Sequence, residues 1–229
     1  MKGTGIIVRA ALMGAAVVLG SSVLGPSAWA DTLVFDLNVA NIPFTGPYIE
    51  VTVDRTSSTT ATFTFDSLTN GGNTYLMHSN GAAAVNINGT FTLDSFSASN
   101  SLPGFSTPVP SNGGSGTEDG FGSFNQTISL FDGFNSPNGG AANEIVFSVT
   151  LTSGTWASAA NVLTPNGSGQ VAAAQIGACP APCTGSSAFL TPTGFAPVPA
   201  PIVGAGLPGM VLACGGLLAL VRRRRQLVA

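Results

Sequence analysis

Charge is scarce in this 229-residue chain: seven Lys and Arg and ten Asp and Glu, 7% of the sequence. Histidine occurs once, at His78, and cysteine three times. Lysine occurs once, at Lys2, and six of the seven cations lie at the two ends: Lys2, Arg9 and Arg222–Arg225. Between Asp31 and Pro201, Arg55 alone faces all ten carboxylates, a net charge of −9. A nucleic-acid surface needs clustered Lys and Arg to neutralise phosphates, so that class is excluded. The same deficit removes any basis for the middle of the chain to hold anionic lipid headgroups. No serine sits in a nucleophile-elbow motif, and a lone His78 without such a partner does not define a triad. Paired carboxylates of a glycosidase could meet only through the fold. No enzymatic activity is expected.

What the chain does contain is glycine (30), proline (15) and many Ser, Thr and Asn. These residues disfavour helix and favour short strands joined by turns. With so few charges, surface polarity must come from hydroxyls and amides.

The ends read as targeting segments. Lys2 and Arg9 precede an apolar stretch over residues 10–24, Pro26 interrupts it, and Ala28-Trp29-Ala30 gives the small-x-small pattern of a signal peptidase site. A mature chain starting at Asp31 is expected, with 1–30 removed. At the other end, Ile202–Val221 has no charge and is long enough, at ~1.5 Å per residue, to span a hydrocarbon core of about 30 Å as one transmembrane helix. Arg222, Arg223, Arg224 and Arg225 follow and would remain cytoplasmic as a membrane stop.

Val198-Pro199-Ala200-Pro201, then Ile202-Val203-Gly204-Ala205-Gly206-Leu207-Pro208-Gly209 and the rest of the span, then four arginines, resemble the PEP-CTERM sorting signal. Ala200 stands where that family's usual motif has Glu. The resemblance implies a Gram-negative host and processing near Val198–Pro201 by an exosortase, a membrane protease-transpeptidase. It also implies release to the outer surface or extracellular matrix, in association with exopolysaccharide or biofilm. The expected partners are therefore signal peptidase, exosortase, the inner membrane and exopolysaccharide. Without processing, the chain would be an anchored periplasmic protein.

Residues 31–163 read as a β-rich exported domain, an antiparallel β-sandwich or jelly-roll-like fold. Apolar residues alternate at Leu33, Phe35, Leu37 and Val39; at Ala61, Phe63 and Phe65; at Phe91, Leu93 and Phe96; at Phe124, Ile128 and Leu130; and at Ile145, Phe147, Val149 and Leu151. Asn70-Gly71-Gly72-Asn73, Asn88-Gly89, Asn112-Gly113-Gly114, Asp132-Gly133 and Asn138-Gly139-Gly140 supply turn signals. Residues 99–120 read as a long loop, Trp156–Leu163 as one short helix, and 164–197 as a Pro/Gly-rich stalk leading to the tail at 198–229.

Cys179 and Cys183 are expected to form a small disulfide loop in an oxidising compartment. Cys214 lies in the span and reads as a small buried residue. Asp66, Asp94, Glu118, Asp119 and Asp132 are of the oxygen-ligand type that calcium takes, and Gly113–Glu118 approaches a calcium-binding repeat once. Asp at turns explains them as well. No metal site and no cofactor are expected, with structural calcium the alternative. Tyr48, Tyr75, Trp156 and the phenylalanines could line a sugar-binding face, which makes a carbohydrate-binding module the alternative function. Core packing is the default role of such residues.

Overall fold

A computed structural model describes residues 30–130, 140–185 and 194–199. The elements are β1 (Asp31–Leu37), β2 (Ile49–Arg55), β3 (Thr60–Ser67), β4 (Thr69–Asn70), β5 (Asn73–Met77), β6 (Ala83–Val85), β7 (Phe91–Ser99), β8 (Pro110–Glu118), β9 (Gly122–Leu130), β10 (Glu144–Leu151), a 3₁₀ turn (Ala159–Val162), β11 (Gln170–Pro180) and β12 (Gly194–Pro199). The protein is mainly β, and among the described residues every strand pairing is antiparallel.

One sheet has the order β1-β2-β3-β10-β7. The other runs β4-β5-β11-β6-β9-β8, with β12 on the free edge of β11. Inward residues of both sheets meet in one core: Ile49, Val51, Val53, Phe63, Phe65, Ile145, Phe147 and Val149 from the first, and Tyr75, Met77, Val85, Ile128, Ala172, Ala174 and Ile176 from the second. The strict alternation of β2, β3 and β10 follows from this, since one face meets the core and the other meets water. Phe63 and Phe147 stack across paired strands, centroids 4.8 Å apart, an arrangement that adds to simple area burial.

The outer face of the first sheet carries a row of carboxylates. In register, Asp36 opposes Glu50, Glu50 opposes Asp66, and Asp66 opposes Glu144. Desolvation, and then the charges of Glu144 and Glu50, raise the pKa of Asp66.

Three of the expected boundaries are corrected. Residues 99–120 are not one loop: β7 continues to Ser99 and β8 occupies Pro110–Glu118. Asn112-Gly113-Gly114 is not a hairpin turn; it lies within β8 at a register shift against β9, with Gly114 at φ +62°. The segment 164–197 is not a stalk. β11 pairs with β5, β6 and β12, and Val171, Ala172, Ala174, Ile176 and Ala178 are buried in the shared core. Because β11 is covered on both faces it shows no alternation, and its prolines cluster at and beyond its end.

Trp156–Leu163 contains a single 3₁₀ turn, Ala159–Val162. Asn70-Gly71-Gly72-Asn73 forms the β4–β5 turn, with Gly71 and Gly72 both at positive φ (58° and 78°), the geometry of a tight hairpin. Among the described residues no helix is long and apolar enough to cross a membrane. The expected signal segment and the span Ile202–Val221 lie outside the described residues.

Candidate functional site

The outer face of the second sheet is hollowed into a cleft of about 510 Å³, a volume within the ~300–1,000 Å³ range of small-molecule sites. Its construction begins at a break between β5 and β6. Residues His78–Ala82 run alongside β11: the Gln175 carbonyl accepts from His78 N at 3.1 Å, and the Gly81 carbonyl accepts from Gln175 N at 2.9 Å. Ser79 holds φ +57°, and Gly81 φ +71°. A left-handed non-glycine residue is uncommon and concentrates at functional sites. Ser79 is held there by its carbonyl, which accepts from Leu130 N at 2.9 Å, and by the 2.8 Å hydrogen bond between its Oγ and His78 Nδ1.

On the other side of the break stand β9 and β8. Gly81 N donates to Ser129 Oγ (3.4 Å), and Thr127 Oγ1 donates to the Gly114 carbonyl (3.1 Å). The glycines of β8 keep this floor open. A Cβ at Gly113 would lie 2.2 Å from Thr127 Oγ1 and 2.8 Å from Ser129 Oγ; one at Gly116 would lie 2.9 Å from Thr127 Cγ2. At the far wall Phe195 of β12 sits opposite Gln175 of β11.

Glu118, the last residue of β8, closes the floor. It is 3% exposed, and its carboxylate rests directly on the Cα of Gly81, where a Cβ would overlap both carboxylate oxygens. Among the described residues none donates a hydrogen bond to that carboxylate. Burial, reinforced by the neighbouring Asp119 charge, pushes its pKa up to about 7. A cleft-lining acid with no protein donor, perturbed by burial and by a neighbouring charge, is a candidate functional group. The lining residues include no Lys, Arg or His.

The other expected site residues are dispersed. Cys179 and Cys183 are joined by a disulfide at the end of β11, both buried against Leu76 and Ala141. Ala30 is exposed and Asp31 opens β1. Val198 pairs with Ala172 and Pro199 with Gln170. Ala28, Ala200, Pro201, Cys214 and Arg222–Arg225 lie outside the described residues, as does Asp132.

Of the candidate calcium ligands only Glu118 and Asp119 come together, in the cleft lining, while Asp66 is on β3 and Asp94 on β7; among the described residues no group of three acidic, His or Cys side chains could hold a metal. Gly113–Glu118 is a paired strand rather than a calcium loop.

Tyr48, Tyr75 and Trp156 do not form a ligand face. Tyr48 and Tyr75 pack edge to face inside the core, and their hydroxyls donate to the carbonyls of Phe44 and Thr45, each at 2.7 Å. Trp156 is 3% exposed and its Nε1 donates to the Asn88 carbonyl. His78 is buried, and desolvation lowers its pKa to about 3, so it stays neutral at physiological pH.

Comparison with known proteins gives no match to a family model, a curated protein or a solved structure.

Proposed function

We propose that this chain is a non-enzymatic cell-surface or extracellular-matrix protein. Signal peptidase removes residues 1–30, Ile202–Val221 holds the tail in the inner membrane as a helix, and Arg222–Arg225 keep its end in the cytoplasm. A PEP-CTERM-type signal then directs the domain, a jelly-roll-like sandwich, to an exosortase of a Gram-negative envelope, where it joins exopolysaccharide or biofilm matrix.

The observation that carries this reading is where the paired strands begin and end. β1 opens at Asp31, the residue after the expected signal peptidase site, and β12 closes at Pro199, within the sorting motif. A chain cut at both expected processing points would keep every described strand. Since Val198 and Pro199 are paired to β11, a cut at Ala200 or Pro201 would leave the second sheet whole.

The Cys179–Cys183 disulfide suits an oxidising compartment. Thiol counting on protein recovered from the outer surface or medium tests the reading. Processed protein should show no free thiol before reduction and two after it, because Cys214 leaves with the tail. Free Cys179 and Cys183 in protein never exposed to reductant would contradict export to such a compartment.

A further inference from the structure

The cleft combines features that select a ligand by its chemistry. Its floor holds a nearly buried carboxylate, Glu118, that receives no hydrogen bond from the described residues, so a ligand that displaces water there must bring donors. Hydroxyl or amine hydrogens serve; a phosphate, sulfate or carboxylate does not. The lining offers hydroxyls and amides from Asn80, Ser111, Thr117 and Gln175, a second carboxylate at Asp119, no cation, and the aromatic side chain of Phe195. Arg55 is the sole cation among residues 31–201, so the surrounding field also repels anions. The glycines at 113 and 116 are what leave room: a side chain at either would intrude on the floor formed by Thr127 and Ser129. An apolar ligand would strand Glu118 and the lining polar groups.

We propose that the cleft between β8 and β12 binds a non-anionic saccharide, whose ring hydroxyls donate to the Glu118 carboxylate and exchange hydrogen bonds with Gln175 while a ring face lies against Phe195. No bond is broken in this site. The inference shares with the proposed function the premise that the domain faces the cell exterior, but the site's chemistry stands on the cleft alone. The test does not depend on sorting, so either idea can fail without the other.

The test uses the full chain, solubilised in a zwitterionic detergent without a sugar headgroup and titrated calorimetrically. The probes are tetrasaccharides of glucose, mannose, galactose, N-acetylglucosamine and glucosamine, with tetragalacturonate as the anionic comparison. At least one of the first five should bind saturably, and tetragalacturonate should not. Glu118→Gln should weaken that binding about tenfold or more, the size expected for losing charge-assisted hydrogen bonds, and Gly116→Val should do the same by filling the cleft. Ser97→Val, on β7 of the opposite sheet, should leave it unchanged. A Glu118→Gln protein at least as resistant to denaturant as the parent separates lost binding from lost folding. Binding by none of the five, preferential binding of tetragalacturonate, or equal binding by both cleft variants would overturn the proposal. So would the appearance of shorter products on prolonged incubation, which would make the cleft an active site.

Discussion

Glu118→Gln is expected to stabilise the protein by on the order of 1–2 kcal/mol at pH 8, since water in the cleft screens part of the burial, and by little at pH 4. The Glu118 pKa is displaced from the ordinary 4.5 to about 7 by burial and by Asp119. Between those values the folded chain retains a proton that the unfolded chain has released. Stability contributed by this residue therefore falls as pH rises from about 4.5 to about 7 and is level above that window. Glutamine carries no proton to lose, so the gain should open across the same window.

His78 produces a slope of the opposite sign. Its pKa is lowered to about 3 in the folded state, so its contribution is present above the ordinary 6.5 and is lost as pH falls toward 3. The pH profile of the parent alone is thus a composite. The difference between parent and variant, measured by denaturant unfolding at a series of pH values, isolates Glu118. A difference that does not change with pH would mean that the carboxylate is solvated like an ordinary glutamate. A stabilising substitution at a site that binds ligand fits the common trade of stability for function.

Asp31→Ala should destabilise the domain by about 2–3 kcal/mol. Asp31 Oδ1 accepts from Arg55 Nε at 2.5 Å, and Oδ2 accepts from Ala159 N at 2.7 Å. One carboxylate therefore neutralises a buried arginine, 4% exposed, and also ties β1 to the 3₁₀ turn. Removing it takes a charge-assisted hydrogen bond from Arg55, whose Nη1 still donates to the Ser57 carbonyl, and leaves Ala159 N without that acceptor. The Asp31 side chain is 38% exposed, which admits water and holds the expected loss below that of a fully buried pair. A change under about 0.5 kcal/mol would show the pair to be an ordinary surface contact. Asp31 is also the expected first residue of the mature chain, so the domain would be stitched together by the residue that export exposes.

The sandwich was legible where one strand face meets water. Phe63 and Phe65, or Ile145, Phe147, Val149 and Leu151, alternate because their partners Thr62, Thr64, Val146 and Ser148 lie on the outer face. Ile49, Val51 and Val53 of β2 alternate in the same way but were not among the expected strands. β8 and β11 were not legible, for opposite reasons. β8, Pro-Ser-Asn-Gly-Gly-Ser-Gly-Thr-Glu, has no large apolar residue, because its glycines keep a cleft open instead of filling a core. β11 is alanine-rich and buried on both faces, so it carries neither alternation nor strand-favouring side chains over Ala172–Ala174.

The candidate site was legible only as parts. Glu118 stood out as an acidic residue among glycines, but its contact with Gly81 depends on the break between β5 and β6, which local sequence does not encode. The aromatics that suggested a sugar face, Tyr48, Tyr75 and Trp156, are buried, and Phe195, which does line the cleft, fell in a segment that reads as linker.

The central claim is that the chain is cut at two points that flank all of its described strands, and the intact mass of the protein in each fraction of its native cells tests it most directly. A surface or medium species beginning at Asp31 and ending at Ala200 or Pro201 is the expected result. A species that still carries Arg222–Arg225 and is confined to the inner membrane would contradict sorting and leave a permanently anchored periplasmic domain.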